Sequence, residues 1–202
     1  MSAENALVTR HVALFGGTFD PVHHTHRAII DAVLDTDLVD LVLVLPAGDP
    51  WQKSEVIASA QDRLEMCRLA LGSHADVEIS DIEVLREGPS YTIDTVRELA
   101  LLHPEWKMSL VLGADSIATF HSWHLADDLS QLVEILGIAR PGHEIHSGAP
   151  LPHPLRINRV EMRESTLSAT EIRAELNAGR VPPGLNPAVL HYIHTHSLYV
   201  GD

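Results

Sequence analysis

The sequence has little cysteine, few aromatics, almost no lysine and no long apolar run. Cys67 is the single cysteine among 202 residues, which excludes an internal disulfide and zinc sites built on paired cysteines. Aromatics make up 4% of the chain, so the core must be built from Leu, Ile, Val and Ala. The longest apolar strand candidate, Leu41 to Leu45, falls far short of the roughly 20 residues that cross a bilayer. Met1 to Asn5 carry neither the basic start nor the apolar stretch of a signal peptide. The expectation is a soluble, cytoplasmic protein with no membrane partner.

What is present is ordinary for a globular chain: 45% apolar and 21% charged residues. At about 150 residues per domain, the length allows one compact domain. Fourteen basic residues face 28 acidic ones, a net charge of −14. Such a surface repels a nucleic-acid backbone, so no nucleic-acid partner is expected. All the basic residues but Lys53 and Lys107 are arginines, and residues 156–180 gather five of them (Arg156, Arg159, Arg163, Arg173, Arg180) against four glutamates. A polyanionic substrate would therefore need its binding groups placed locally.

The pattern alternates between strand and helix signals. Arg10 to Phe15 reads as a strand stopped by a turn at Gly16 and Gly17. Helical spacing follows in Ala28, Ile29, Ala32 and Val33. Val39 to Leu45, closed by Pro46, is the continuous apolar run of a strand covered on both faces. Helices are predicted over Ala60 to Leu71, with Gly72 as stop, and over Thr92 to Leu102. Strands are predicted over Val77 to Val84, Met108 to Leu112, Val133 to Ala139 and Arg156 to Met162, with a loop from Arg140 to Pro154. Ser168 and Glu171 have capping-box spacing for a helix running to Gly179. Asn186 and Pro187 mark the start of a last helix, over Ala188 to His194. Repeated strand–helix units imply an α/β fold with a doubly wound, mostly parallel sheet, and such sheets bind ligands at the carboxyl ends of their strands. Residues 1–9 read as a tail and 10–202 as a single domain.

The chemistry concentrates after the first strand, in Gly16, Gly17, Thr18, Phe19, Asp20, Pro21, Val22, His23, His24, Thr25 and His26. Glycines admit backbone amides close to a ligand, and the free N–H groups opening a helix favour phosphate. His23 and His26, three apart, fall on one face of that helix start. The loop is neither a dinucleotide fingerprint nor a P-loop. An ordinary turn with internally bonded histidines is the plain alternative. Asp31 and Asp35 lie too far along to complete a metal site, and the spacing of His191, His194 and His196 matches no standard one, so no resident metal is expected.

The segment resembles the signature Gly-Gly-Thr-Phe-Asp-Pro-x-His-x-Gly-His of the bacterial nicotinate-mononucleotide adenylyltransferases in the nucleotidyltransferase superfamily. Eight of its nine specified letters are present, and Thr25 stands where the family has glycine. The resemblance runs on through Pro50 to Lys53, Gly88 to Thr92, Gly113 to Asp115, Ser122 and Trp123, and Ala139 to Gly142. It closes on Leu167 to Arg173, similar to the family's Ile-Ser-Ser-Thr-x-Ile-Arg, with Ala169 in place of the second serine.

The resemblance implies a Rossmann-like nucleotidyltransferase fold with a C-terminal helical segment, and transfer of an adenylyl group from ATP, with Mg²⁺, to nicotinate mononucleotide on the route to NAD. It implies that His23, His26 and Arg173 act on the phosphates around the reacting centre. It places Gly16, Gly17, Thr18, Phe19, Gly113, Asp115, Arg140, Ser168 and Thr170 on ATP. Lys53, Thr92, Trp123 and His124 fall to the mononucleotide, with backbone amides near Trp123 and His124 receiving the ring carboxylate. Taken alone, Asp115 would serve as a helix N-cap, Trp123 as packing and Arg173 as a solvated side chain. Nicotinamide mononucleotide or pantetheine phosphate as acceptor, or a catalytically impaired nucleotide-binding homologue, are the alternatives. The partners are small molecules, with a homo-oligomer left open. Threonine at position 25 is expected to crowd the nucleotide, so that Thr25→Gly would improve ATP binding.

Overall fold

The computed structural model describes residues 10–50, 56–139, 144–162 and 167–200. Six strands, β1 (Arg10–Gly17), β2 (Leu41–Pro46), β3 (Val77–Ile79), β4 (Trp106–Gly113), β5 (Glu134–Ala139) and β6 (Ile157–Glu161), form one sheet in the order β3-β2-β1-β4-β5-β6. Every pairing is parallel. Parallel neighbours need crossovers, and helices α1 (His24–Leu34), α2 (Ala60–Leu71), α3 (Thr92–Leu102), α4 (Ala114–Thr119) and α5 (Ala126–Leu132) supply them, followed by α6 (Ala169–Asn177) and α7 (Pro187–Thr195).

The two-residue period of β1 and β2 sorts the core into two layers. Ala13, Phe15, Val42 and Val44 face one side with Ile30 and Val33 of α1, Met66 and Leu71 of α2, Ile172 of α6 and Val189 of α7. Val12, Leu14, Leu41 and Leu43 face the other with Ile93 and Val96 of α3, Ile117 of α4 and Leu129 of α5. Both faces of the central strands are buried, which is why those strands read as unbroken apolar runs.

The caps follow the sequence. The Ser59 hydroxyl accepts from the Asp62 N–H at 3.1 Å at the start of α2. Ser168 and Glu171 close a reciprocal capping box on α6, and Asn186 caps α7 ahead of Pro187. Two expectations change. The strand foreseen over Val77 to Val84 ends at Ile79, because residues 82–84 form a turn and 85–88 a bend. Gly16 and Gly17 are not the turn but the last paired residues of β1, opposite Leu45 and Pro46; the turn follows, with Phe19 at φ +53°. Helices α4 and α5 had no forecast. No described helix is long and apolar enough to cross a membrane.

Candidate active site

The strand order reverses between β1 and β4, so the connections leaving their carboxyl ends diverge and open a crevice. A cleft of about 480 Å³ lies there. A Cβ built on Gly16 or Gly113 would meet no atom within 4 Å, so both strand ends leave room above the backbone. Gly17 is glycine for a different reason, since a Cβ there would come within 2.9 Å of the Phe19 ring. Gly16, Gly17, Thr18, Phe19, His26, Thr92, Gly113 and Trp123, all singled out in the sequence, line the cleft.

The two histidines meet with ring centroids 4.0 Å apart. The His23 N–H donates to Nδ1 of His26 at 3.1 Å. Nδ1 must then be the bare nitrogen of His26, which leaves the proton on Nε2. His23 is buried at 7% exposure, and its Nδ1 has no hydrogen-bond partner. Burial, assisted by neighbouring His24, pulls its pKa down to about 4. His23 is therefore a neutral imidazole at pH 7, not the standing positive charge that a charge-assisted phosphate contact would use. It lines a smaller cavity of about 240 Å³ on the far side of the α1 start, with Arg27 and Asn186.

Behind the cleft lies a polar frame that sequence reasoning missed. Arg63 is 1% exposed on the apolar face of α2. Its Nη1 donates to the Thr18 carbonyl at 2.8 Å, Nη2 to Gly48 at 3.0 Å and Nε to Ala58 at 3.2 Å. One planar guanidinium thus fastens three loops together. Asp20 is 3% exposed and accepts from the Ile57 and Ala58 N–H groups and from the Tyr199 hydroxyl.

Helix α6 docks its first turns on the same loop. The Arg173 Nη1 donates to the Asp20 carbonyl at 2.8 Å and stands 3.9 Å from the Asp20 carboxylate; Nη2 lies 3.5 Å from the Thr170 hydroxyl. Ala169 reaches the cleft wall. The Ser168 hydroxyl donates to the Glu171 carboxylate at 2.8 Å, so a phosphate arriving there must displace it. Thr25 turns away from the cleft, and its hydroxyl donates to the Leu167 carbonyl at 3.3 Å.

At the other end of the cleft stand Pro50, Glu83, Ser90, Thr92 and Trp123. The Ser90 hydroxyl accepts from the Gly48 and Asp49 N–H groups. The Thr95 hydroxyl donates to Glu83 at 2.8 Å and itself accepts from Arg86. Burial pushes the Glu83 carboxyl up, opposed by those hydroxyls and by Arg86. Trp123 stacks on Phe120 with centroids 5.2 Å apart. Its backbone N–H is engaged by the Phe120 carbonyl at 2.9 Å, which removes that amide from the expected carboxylate contact. The indole N–H is the buried donor left without a partner there.

Asp115 is exposed in the first turn of α4, where Gly113 holds the N-cap position and Ser116 faces the cleft. His124 is exposed beside the Tyr91 ring, 4.5 Å between centroids. Lys53 and Arg140 lie outside the described residues. Arg63 could have been found from sequence as a charge at helical spacing with Cys67 and Ala70. Tyr199 offered no such signal.

The sheet order, the glycine-floored cleft and the paired imidazoles define a nucleotidyltransferase of the Rossmann-like class, and the cytidylyltransferase-like family profile matches residues 14–175. The chain is 35% identical over 199 residues to a "Probable nicotinate-nucleotide adenylyltransferase" of Saccharopolyspora erythraea, covering 96% of this chain and 91% of that one. A protein of the same name from Bordetella petrii is 37% identical, with 94% and 99% covered. The chain belongs to the nicotinate-nucleotide adenylyltransferase family. The fold is also that of Plasmodium falciparum nicotinic acid mononucleotide adenylyltransferase complexed with NaAD, with a TM-score of 0.78, 19% identity and coverage of 94% and 97%.

Proposed function

We propose that this chain transfers the adenylyl group of ATP to nicotinate mononucleotide, giving nicotinate adenine dinucleotide and pyrophosphate in NAD biosynthesis. One observation carries the reading: a single cleft joins a phosphate-type end, made of open glycines, His26 and the first turn of α6, to an aromatic end at Trp123. The Plasmodium falciparum enzyme complexed with NaAD has the same fold, and a product of that kind, an adenine nucleotide joined to a pyridine nucleotide, is what a cleft with these two ends would suit.

An ionised phosphate oxygen of the mononucleotide attacks the α-phosphorus of ATP. The new P–O bond forms as the bond to the β-phosphate breaks, and the electron pair leaves with pyrophosphate. The attacking oxygen is already deprotonated at neutral pH, so no general base is needed, and catalysis consists of positioning and charge stabilisation. The Nε2–H of His26 donates to the α-phosphate region, with His23 behind it. Arg173 and the N–H groups opening α6, with Ser168 and Thr170, take the β- and γ-phosphates. Gly16, Gly17, Thr18, Phe19, Gly113 and Asp115 border the nucleotide, and Arg140 joins them by resemblance. Thr92 and Trp123 frame the pyridine ring, where the indole N–H offers a donor to the ring carboxylate beside His124; Lys53 serves the acceptor phosphate by resemblance.

Mg²⁺ enters as the counter-ion of ATP, part of the substrate; among the described residues no cluster of three His, Cys, Asp or Glu side chains stands ready to hold it as a resident ion. ATP and a mononucleotide are cytoplasmic metabolites, which fits the expected location. The deciding experiment is a coupled pyrophosphate-release assay with ATP and each of three acceptors: nicotinate mononucleotide, nicotinamide mononucleotide and pantetheine phosphate. Turnover with the acid mononucleotide well above the other two is the expected result. Preference for another acceptor, or no pyrophosphate at all, overturns the reading.

A further inference from the structure

The residue that closes the frame behind the cleft comes from the far end of the fold. Tyr199 follows α7, is 5% exposed, and packs in the same core layer as Phe19, Val22 and Ile172. Its backbone has φ +60°, and that of Ser197 +51°, both in the left-handed region that side chains disfavour. A conformation of that kind persists only where the surroundings enforce it. Two contacts hold the side chain there: the ring lies in that apolar layer, and its hydroxyl donates to Asp20 Oδ1 at 2.7 Å.

Asp20 is a buried carboxylate with a defined set of partners. Oδ1 also accepts from the Ala58 N–H at 3.1 Å, and Oδ2 accepts from the Ile57 N–H at 3.0 Å. Arg173 makes only a long ion pair with that carboxylate and no hydrogen bond to it. Its Nη1 donates to the Asp20 main-chain carbonyl at 2.8 Å and leaves 3.9 Å to Oδ2. The guanidinium is thus held beside a negative group without being consumed by it. An Asp20 carboxylate that lost the Tyr199 donor would be under-satisfied in a buried setting. Its remedy is to shorten the 3.9 Å approach to Arg173 into a charge-assisted hydrogen bond. An arginine so captured is neutralised and no longer available to an incoming phosphate.

We infer that Tyr199 is a positioning residue: by occupying Asp20 it keeps Arg173 free to grip the nucleotide. The inference rests on the reading of Arg173 as a phosphate ligand given above.

The test is calorimetric titration of the full chain with a non-hydrolysable ATP analogue, which requires no acceptor and no turnover. Tyr199→Phe keeps the ring and removes only the donor. It is expected to bind the analogue about tenfold more weakly than wild type, a loss typical of one hydrogen bond to a charged group. Adding Asp20→Asn to Tyr199→Phe is expected to restore the affinity, because a neutral amide does not capture a guanidinium. A merely structural role for Tyr199 predicts the opposite, since the second substitution would add damage. Wild-type affinity in Tyr199→Phe, or no recovery in the double variant, overturns the inference and leaves the proposed reaction standing. A wild-type chain that binds no analogue overturns both.

Discussion

His23 and His26 touch each other, yet the protein treats them differently. His26 lines the cleft, and its tautomer is fixed by the N–H of His23. Removing a preorganised donor of this kind costs about 3–4 kcal/mol of transition-state stabilisation. His26→Ala should therefore lower kcat at least about a hundredfold, read as pyrophosphate release, with an unchanged circular-dichroism spectrum. His23 is held neutral, with its pKa pulled from 6.5 to about 4 by burial and by His24. A histidine depressed in the folded state contributes stability that is present above the unfolded pKa and disappears as pH falls through the folded one. Between pH 6.5 and pH 4 that loss amounts to about 3 kcal/mol. Urea titrations across this window should show it in the wild type, and His23→Gln should flatten the slope.

At the scale of elements, Thr25 changes its meaning. A branched side chain in place of the family's glycine was expected to crowd the nucleotide. The structure instead turns its hydroxyl onto the Leu167 carbonyl, one residue ahead of the α6 cap. Threonine thus ties the first turn of α1 to the lead-in of α6, the two elements on which the phosphate end depends. Thr25→Gly should lose that hydrogen bond and add glycine's backbone entropy, about 1–2 kcal/mol together. The melting temperature should fall and analogue affinity should not improve; tighter binding by the glycine variant would restore the crowding account. Three helices were legible by their punctuation: Gly72 closing α2, Ser168 and Glu171 opening α6, and Asn186 and Pro187 opening α7. Helices α4 and α5, of six and seven residues, are too short to show a period. The strand drawn through Ile82 and Val84 failed because the alternation there belongs to a loop that delivers Glu83 and Ser90 to the cleft.

Across the whole molecule, the doubly wound sheet was readable because both faces of its central strands are apolar and the glycines fall at their carboxyl ends. Of the buried frame only Arg63 left a trace in the sequence, and the way its members come together was not readable. Arg63, Asp20 and Tyr199 meet only after folding, and their partners are mostly main-chain carbonyls and amides, which carry no letter in a sequence. Charge acts at this scale as well. A net −14 opposes the approach of ATP, while the few arginines act only at close range. Raising ionic strength from about 0.01 to about 0.1 M shortens the screening length from about 30 to about 10 Å. The long-range repulsion should fade first, so kcat/KM for ATP should rise over that interval; a steady fall would show that the local arginines dominate the field.

The contact of Arg173 with Asp20 joins positions 153 residues apart. A triphosphate seated between the first loop and α6 would act as a clasp on the chain, present only when both halves are assembled. At a hundredfold excess over its dissociation constant, such a ligand adds about 2.7 kcal/mol to the folded state by mass action alone. The supply of nucleotide in the cell would then set the lifetime of this enzyme against proteolysis as well as its speed.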